Sequence, residues 1–187
     1  MKLVIGLVGE KGSGKETFAQ TLIDLLRGRV HSERFSDVLS ETLASWDIPR
    51  TRAHLQRMAV IMREEYGPET LTHTMYVRVS KREEDVVIID GIRWETDVAM
   101  LRTFPTNLLV YITADPLIRY ERTKKRSTKT GEAGANLEQF MKEEKAKNEI
   151  LIPQIGVGAD YCIINNGSIE DFKAHVRKFS KQHLSYL

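Results

Sequence analysis

Uninterrupted apolar runs alternate along this chain with segments whose apolar residues recur every three or four positions. Leu3-Val4-Ile5-Gly6-Leu7-Val8 is such a run and predicts a buried strand over 2–8. Phe18, Leu22, Leu25 and Leu26 follow at helical spacing, predicting a helix over 16–28 that stops at Gly28. Residues 30–35 suit a second strand, less regular because His31, Ser32, Glu33 and Arg34 interrupt it. Helices are predicted at 37–46, 52–66 and about 69–82. The middle one carries Leu55, Met58, Ala59, Met62 and Tyr66 as one stripe and stops at Gly67-Pro68. A strand over 85–90 ends in an acid. A helix over 94–103 turns Trp94, Val98 and Leu101 inward, and a strand covers 108–113.

Asp115-Pro116 is a helix start, with Asp as N-cap and Pro at the first helical position. Residues 127–136 hold no bulky apolar side chain and are the candidate mobile loop. Asn136-x-x-Gln139 opens a helix to about 150, with Glu138/Lys142 and Glu143/Lys147 paired four apart. Residues 160–164 form the last strand and 165–167 a turn. Ser168-x-x-Asp171 starts a final helix with Ile169, Phe172, Val176 and Phe179 on one face. Continuous rather than alternating apolar strands, separated by helices, imply an α/β architecture. Its parallel sheet is covered on both faces and binds ligands at the carboxyl edge.

The chemistry begins at that edge. Gly9-Glu10-Lys11-Gly12-Ser13-Gly14-Lys15-Glu16-Thr17 joins the first strand to the first helix and meets the pattern G-x-x-x-x-G-K. Small residues let backbone N–H groups converge on a phosphate, the helix N-terminus adds partial positive charge, and Lys15 reaches the β/γ oxygens. Gly9, Lys11, Gly12, Ser13, Gly14, Lys15, Glu16 and Thr17 are therefore the expected nucleotide-binding residues. The hydroxyl usual directly after the lysine is replaced by Glu16, with Thr17 next.

Asp90 ends its strand at the same edge and is read as a Mg²⁺ or nucleotide ligand, acting mostly through water; a cap for the following helix is the plain alternative. Arg93 faces the same crevice. Arg122 and Arg126 share a helix face beside the bare loop, as closing arginines of a lid would. Among Arg50, Arg52, Arg57 and Arg63, the choices for an acceptor phosphate are Arg57 and Arg63, which flank the apolar stripe. Trp46 and Trp94 offer stacking surfaces but are more ordinary as core residues.

Length and charge narrow the class. The chain has 187 residues, enough for one domain, and 28 Lys+Arg against 26 Asp+Glu leave composition silent on nucleic acid. The one cysteine, Cys162, sits in an apolar run and reads as buried. The histidines lack metal-ligand spacing, and no stretch is apolar enough to span a bilayer. The expectation is a cytoplasmic protein with small-molecule partners, binding neither membrane nor nucleic acid.

With these residues in view, the chain resembles the P-loop nucleoside and nucleotide kinases, the group of adenylate kinase, deoxynucleoside monophosphate kinase and dephospho-CoA kinase. Gly9 to Thr17 is similar to the kinase form of the phosphate loop, in which another residue separates lysine and threonine. Val86 to Arg93 is similar to the group's Asp-Gly-x-Arg segment, whose arginine meets the acceptor phosphate. Arg119-x-x-Arg122-x-x-x-Arg126 resembles its lid entry. Ala159 to Ser168 is similar to the end of a dephospho-CoA-kinase-like branch, where the loop after the last strand lies against adenine; this implicates Asn166 and Gly167. Phe35-Ser36-Asp37 and Leu55-Gln56-Arg57 resemble phage-type deoxynucleotide kinases, which implicates Asp37.

The resemblance implies a P-loop NTPase fold of one domain, with five parallel strands, an acceptor region about 36–82 and a lid about 119–148. It implies ATP as phosphoryl donor and Mg²⁺ held by Thr17 and Asp90. Lys15, Arg93, Arg122 and Arg126 are the expected catalytic groups. Asp37, Arg57, Arg63, Asp90 and Arg93 are the expected substrate contacts. A nucleoside or deoxynucleoside monophosphate is the expected acceptor. The alternatives are dephospho-CoA, another small molecule, or a nucleotide-binding switch with no acceptor.

Overall fold

A computed structural model of the chain describes residues 2–125, 136–146 and 149–185. Five parallel strands form one sheet in the order β2-β3-β1-β4-β5. They are β1 (Leu3–Val8), β2 (Val30–Arg34), β3 (Val86–Ile92), β4 (Asn107–Thr113) and β5 (Tyr161–Ile164). All six residues of the central β1 are buried, because neighbours cover both its edges and helices both its faces. This is the fully buried strand that an unbroken apolar run implies.

One face of the sheet packs against α1 (Lys15–Leu25) and α9 (Ile169–His183), around Phe18, Leu22, Phe172, Val176 and Phe179. The other face is covered by α2 (Phe35–Ser45), α3 (Arg52–Tyr66), α4 (Thr70–Ser80) and α5 (Glu95–Arg102), around Leu39, Met58, Met75, Ile89 and Leu101. Helices α6 (Pro116–Lys125), α7 (Leu137–Glu143) and the short α8 (Ile152–Val157) complete the described elements.

Several expectations shift. Helix α1 ends at Leu25, and Gly28 lies beyond it with φ +74°. Phe35 opens α2 instead of closing β2, because its ring is buried in the helical layer. The helix expected to run from 136 to about 150 ends at Glu143. Three-residue turns follow (Ala146 N–H to Glu143 O, Glu149 N–H to Ala146 O), and α8 restarts with Pro153 in its first turn, where proline is tolerated. Lys147 of the expected Glu143/Lys147 pair lies outside the described residues.

Cys162 is exposed: β5 is an edge strand, and its alternate residues Cys162 and Ile164 face away from the layer that covers Tyr161 and Ile163. Trp46, at the end of α2, is also exposed. The capping expectations hold. Leu117 N–H donates to Asp115 Oδ1, Gln139 N–H to Asn136 Oδ1, and Ser168 and Asp171 exchange reciprocal bonds.

The end of β3 aims the edge residues. The pairing of β1 with β3 shifts after Leu7↔Asp90, so that Val8 faces Ile92. Gly91 takes up the extra residue with φ +100°, a conformation open chiefly to glycine. Asp90 does not cap α5. Asp97 does, accepting from Arg93 N–H at 2.9 Å and Trp94 N–H at 3.0 Å.

Asp97 is buried, and desolvation pushes its carboxyl up to about 6 against the pull of those two N–H groups and of Arg63 and Arg93. A folded-state value above the unfolded one means the native state holds the proton longer. Asp97 therefore costs stability once it ionises, and its contribution becomes more favourable as pH falls from about 7 towards 4. Asp97→Asn should flatten that part of the stability–pH curve while keeping an acceptor for the cap. A denaturation series from pH 4.5 to 7.5 checks it: wild type and variant should diverge with rising pH by about 2–3 kcal/mol.

Candidate active site

The phosphate loop is pressed against the ends of β4 and β5. A Cβ at Gly9 would lie 2.1 Å from the carbonyl oxygen of Ile112 in β4. A Cβ at Gly14, where φ is +115°, would lie 2.6 Å from Asn165 Nδ2. Neither position admits a side chain, which explains the glycines better than flexibility does. Asn165 is buried at the end of β5 and donates from Nδ2 to Ser13 O at 2.8 Å. Asn166 Oδ1 accepts from Asp115 N–H at 2.8 Å, so the Asn-Asn pair ties the loop and the start of α6 together.

Lys15 opens α1 and folds back over the loop, donating from Nζ to Gly9 O at 2.6 Å and Glu10 O at 3.1 Å. Burial pushes its ammonium below the ordinary lysine value. Asp90 opposes that shift, Arg93 adds to it, and Glu149 and Glu10 oppose it. Charged residues from β3, from the segment after it and from the approach to α8 thus act on one ammonium.

Asp90 Oδ1 and Ser13 Oγ are buried with no hydrogen-bond partner among the described residues. Buried oxygens are rarely left so. An anionic oxygen that acts on Lys15, and a buried hydroxyl in the phosphate loop, suit a hydrated Mg²⁺ and a phosphate chain, so the residues present fit ATP and Mg²⁺. Asp90 Oδ2 is 3.9 Å from Arg34 Nε, and Arg34 Nη2 is 3.5 Å from Glu16. Thr17 lies in the first turn of α1, partly buried. Lys11 pairs with Glu143 at 3.2 Å.

Glu10 lies between Gly9 and Lys11. Its Oε1 accepts from Tyr111 Oη at 2.6 Å, while burial, followed by this bond, pushes the Tyr111 phenol up to about 12. Beside it opens a cavity of about 240 Å³, lined among others by Glu10, Arg52, Arg119, Glu149 and Ile152.

The expected arginines are not all gathered there. Arg93 is: its Nη2 lies 3.3 Å from Glu149. Arg52, at the start of α3, reaches the same Glu149 oxygen at 3.3 Å. Arg57, five residues on and so on another side of the helix, is exposed. Arg63 stacks 4.7 Å from the Trp94 ring and donates to Thr96 Oγ1 and Pro68 O, so it braces α3 against α5.

Arg122 donates to Asn165 O at 2.8 Å and to Gly167 O at 3.2 Å, which places it on the loop after β5. Arg119 is buried, bonded to Ala114 O and paired with Glu144, a strut beneath the phosphate loop. Arg126 and all of the expected loop at 127–136 except its last residue lie outside the described residues.

Asp37 is exposed in the first turn of α2. Desolvation pushes its carboxyl above the ordinary value and Arg34 opposes, while Glu33, Glu41 and Asp90 push upward too. Sequence reasoning passed over Arg34, Arg52, Asn165 and Glu149. Asn165 was within reach, standing beside the chosen Asn166. Arg52 and Glu149 meet across 97 residues and carry no local signal.

Comparison with known proteins agrees with this fold. Residues 5–149 match the family model described as an AAA domain. A UPF0200 protein of Sulfurisphaera tokodaii is 29% identical over 183 residues, covering 97% of each chain. One of Hyperthermus butylicus is 24% identical over 177 residues, covering 95% of this chain and 92% of its own. Among solved structures, shikimate kinase from Bacteroides thetaiotaomicron superposes with TM-score 0.68 at 17% identity, covering 99% of both chains. TT1252 from Thermus thermophilus does so with TM-score 0.64 at 19% identity, covering 100% of this chain and 98% of its own. These likenesses establish a P-loop, kinase-like fold. With a family match that runs from β1 through Glu149, the chain belongs to the AAA domain family.

Proposed function

We propose that the protein transfers a phosphoryl group from ATP to a small anionic acceptor, with a nucleoside monophosphate as the first candidate. One observation carries this reading. The phosphate loop with Lys15, the Asp90 oxygen that has no partner among the described residues and the Arg52–Arg93 pair all stand at one sheet edge. A nucleotide switch needs the first two and has no use for the third.

ATP supplies the phosphoryl group, and Mg²⁺ neutralises its charge when bound. The loop amides and Lys15 hold the donor's β/γ oxygens, Lys15 leaving the Gly9 and Glu10 carbonyls to do so. Asp90 and Thr17 orient the hydrated metal. Arg93 with Arg52 grips the acceptor's anionic group, a role for which Arg52 is better placed than Arg57 or Arg63. Arg122 lines the base end of the donor site beside Asn166 and Gly167. Helices α2–α4 form the acceptor side. Positioning and charge neutralisation account for most of the catalysis in this chemistry. A phosphate acceptor arrives ionised and needs no base.

A second reading has its own observation. Desolvation holds the Asp37 carboxyl above the ordinary value, and Asp90 pushes it the same way, which suits a general base for a hydroxyl acceptor. A base of this kind works only when ionised, so the rate would rise with pH through the raised Asp37 value, and Asp37→Asn would abolish that limb. With a phosphate acceptor, Asp37→Asn should leave the pH profile unchanged.

A coupled assay over nucleoside and deoxynucleoside monophosphates, dephospho-CoA and small hydroxy acids tests the proposal. One acceptor should give turnover that Lys15→Ala lowers roughly 10²-fold or more. Full turnover in that variant would refute the site. Arg52→Ala should raise the acceptor KM about 10- to 100-fold, the worth of one charged hydrogen bond. Arg57→Ala should leave that KM near wild type, and steady-state kinetics on both variants separates the two arginines.

A further inference from the structure

Residues 143–149 bring three carboxylates to the rim of the nucleotide edge. Glu143 pairs with Lys11 of the phosphate loop, Glu144 with Arg119, and Glu149 with Arg52 and Arg93. The last is the telling one. Glu149 is buried, and its Oε1 lies 3.3 Å from Arg52 Nη2 and 3.3 Å from Arg93 Nη2, at the wall of the 240 Å³ cavity. Two guanidinium groups from separate elements converge on one oxygen. That is how arginine forks receive a phosphate or carboxylate from a ligand.

We propose that Glu149 is an internal competitor for the acceptor's anionic group. It occupies the Arg52–Arg93 pair in the unliganded protein and yields when a phosphate or carboxylate enters. The identity of that ligand rests on the kinase reading; the anion site does not.

The physical reason is the cost of bringing two guanidinium charges together out of water. Without a counter-charge they repel and lose hydration. A tethered carboxylate removes that cost while the site is vacant. Its backbone is held by Glu149 N–H to Ala146 O at 2.8 Å and by Ile152 N–H to Glu149 O at 3.1 Å, so the side chain stays within reach and reseats. Selectivity follows. A neutral molecule entering the cavity cannot replace the carboxylate's charge, whereas an anion exchanges like for like. Apparent affinity is lowered by the fraction of time the pair is open.

Calorimetric titration with orthophosphate, in saturating ADP and Mg²⁺ to fill the phosphate loop, tests this. Glu149→Gln should bind orthophosphate about tenfold tighter than wild type, as expected if the pair is open about a tenth of the time. Adding Arg52→Ala to that variant should remove the gain. Unchanged or weaker binding in Glu149→Gln, or a gain that survives Arg52→Ala, overturns the proposal. Should Glu149→Gln not fold, hydrogen exchange on wild type decides. The amides of residues 149–152 should exchange faster at saturating orthophosphate, and unchanged or slower exchange overturns it. The two readings fail separately. Tighter orthophosphate binding with no acceptor phosphorylated sinks the kinase alone. Phosphorylation with no gain in Glu149→Gln sinks the competitor alone.

Discussion

Close backbone contact between the phosphate loop and the carboxyl ends of β4 and β5 is what the site depends on. Gly9 lies against Ile112 O and Gly14 against Asn165, at distances that leave no room for a methyl group. The Asn165 bond to Ser13 O closes the contact. Because β1 is central and fully buried, the loop it feeds cannot drift, and the amides that would meet phosphate are arranged before any ligand arrives. The Gly91 bulge does the same for the neighbouring strand, presenting Asp90 and starting the turn to Arg93.

The second theme is charge exchange. At the nucleotide edge, Lys11, Arg52, Arg93 and Arg119 are each matched to a carboxylate from residues 143–149. Lys15 is satisfied instead by two loop carbonyls. Cations assembled to bind phosphates would repel one another in a vacant site. The chain supplies its own carboxylates to hold them.

Local pattern determined a great deal. Unbroken apolar runs predict parallel strands covered on both faces, glycine spacing predicts an anion loop at their carboxyl edge, and the Asp115, Asn136 and Ser168 starts predict helix caps that the structure contains. Each depends on residues within a few positions of one another, where backbone geometry leaves little freedom. The one apolar run misread was the last. Cys162 sits in it yet is exposed, since whether a strand is central or at an edge is a property of the sheet.

Which arginines share a crevice was decided by tertiary structure alone. Arg52, Arg57 and Arg63 carry the same charge on the same helix, but only Arg52 meets Arg93, because Glu149 approaches from 97 residues away. Arg119 reads as part of a lid entry and is a buried strut, because Glu144 and Ala114 O enclose it. Periodicity gives the face of a helix on which a side chain stands; what stands opposite depends on how distant segments pack, and long-range ion pairs leave no trace in local spacing.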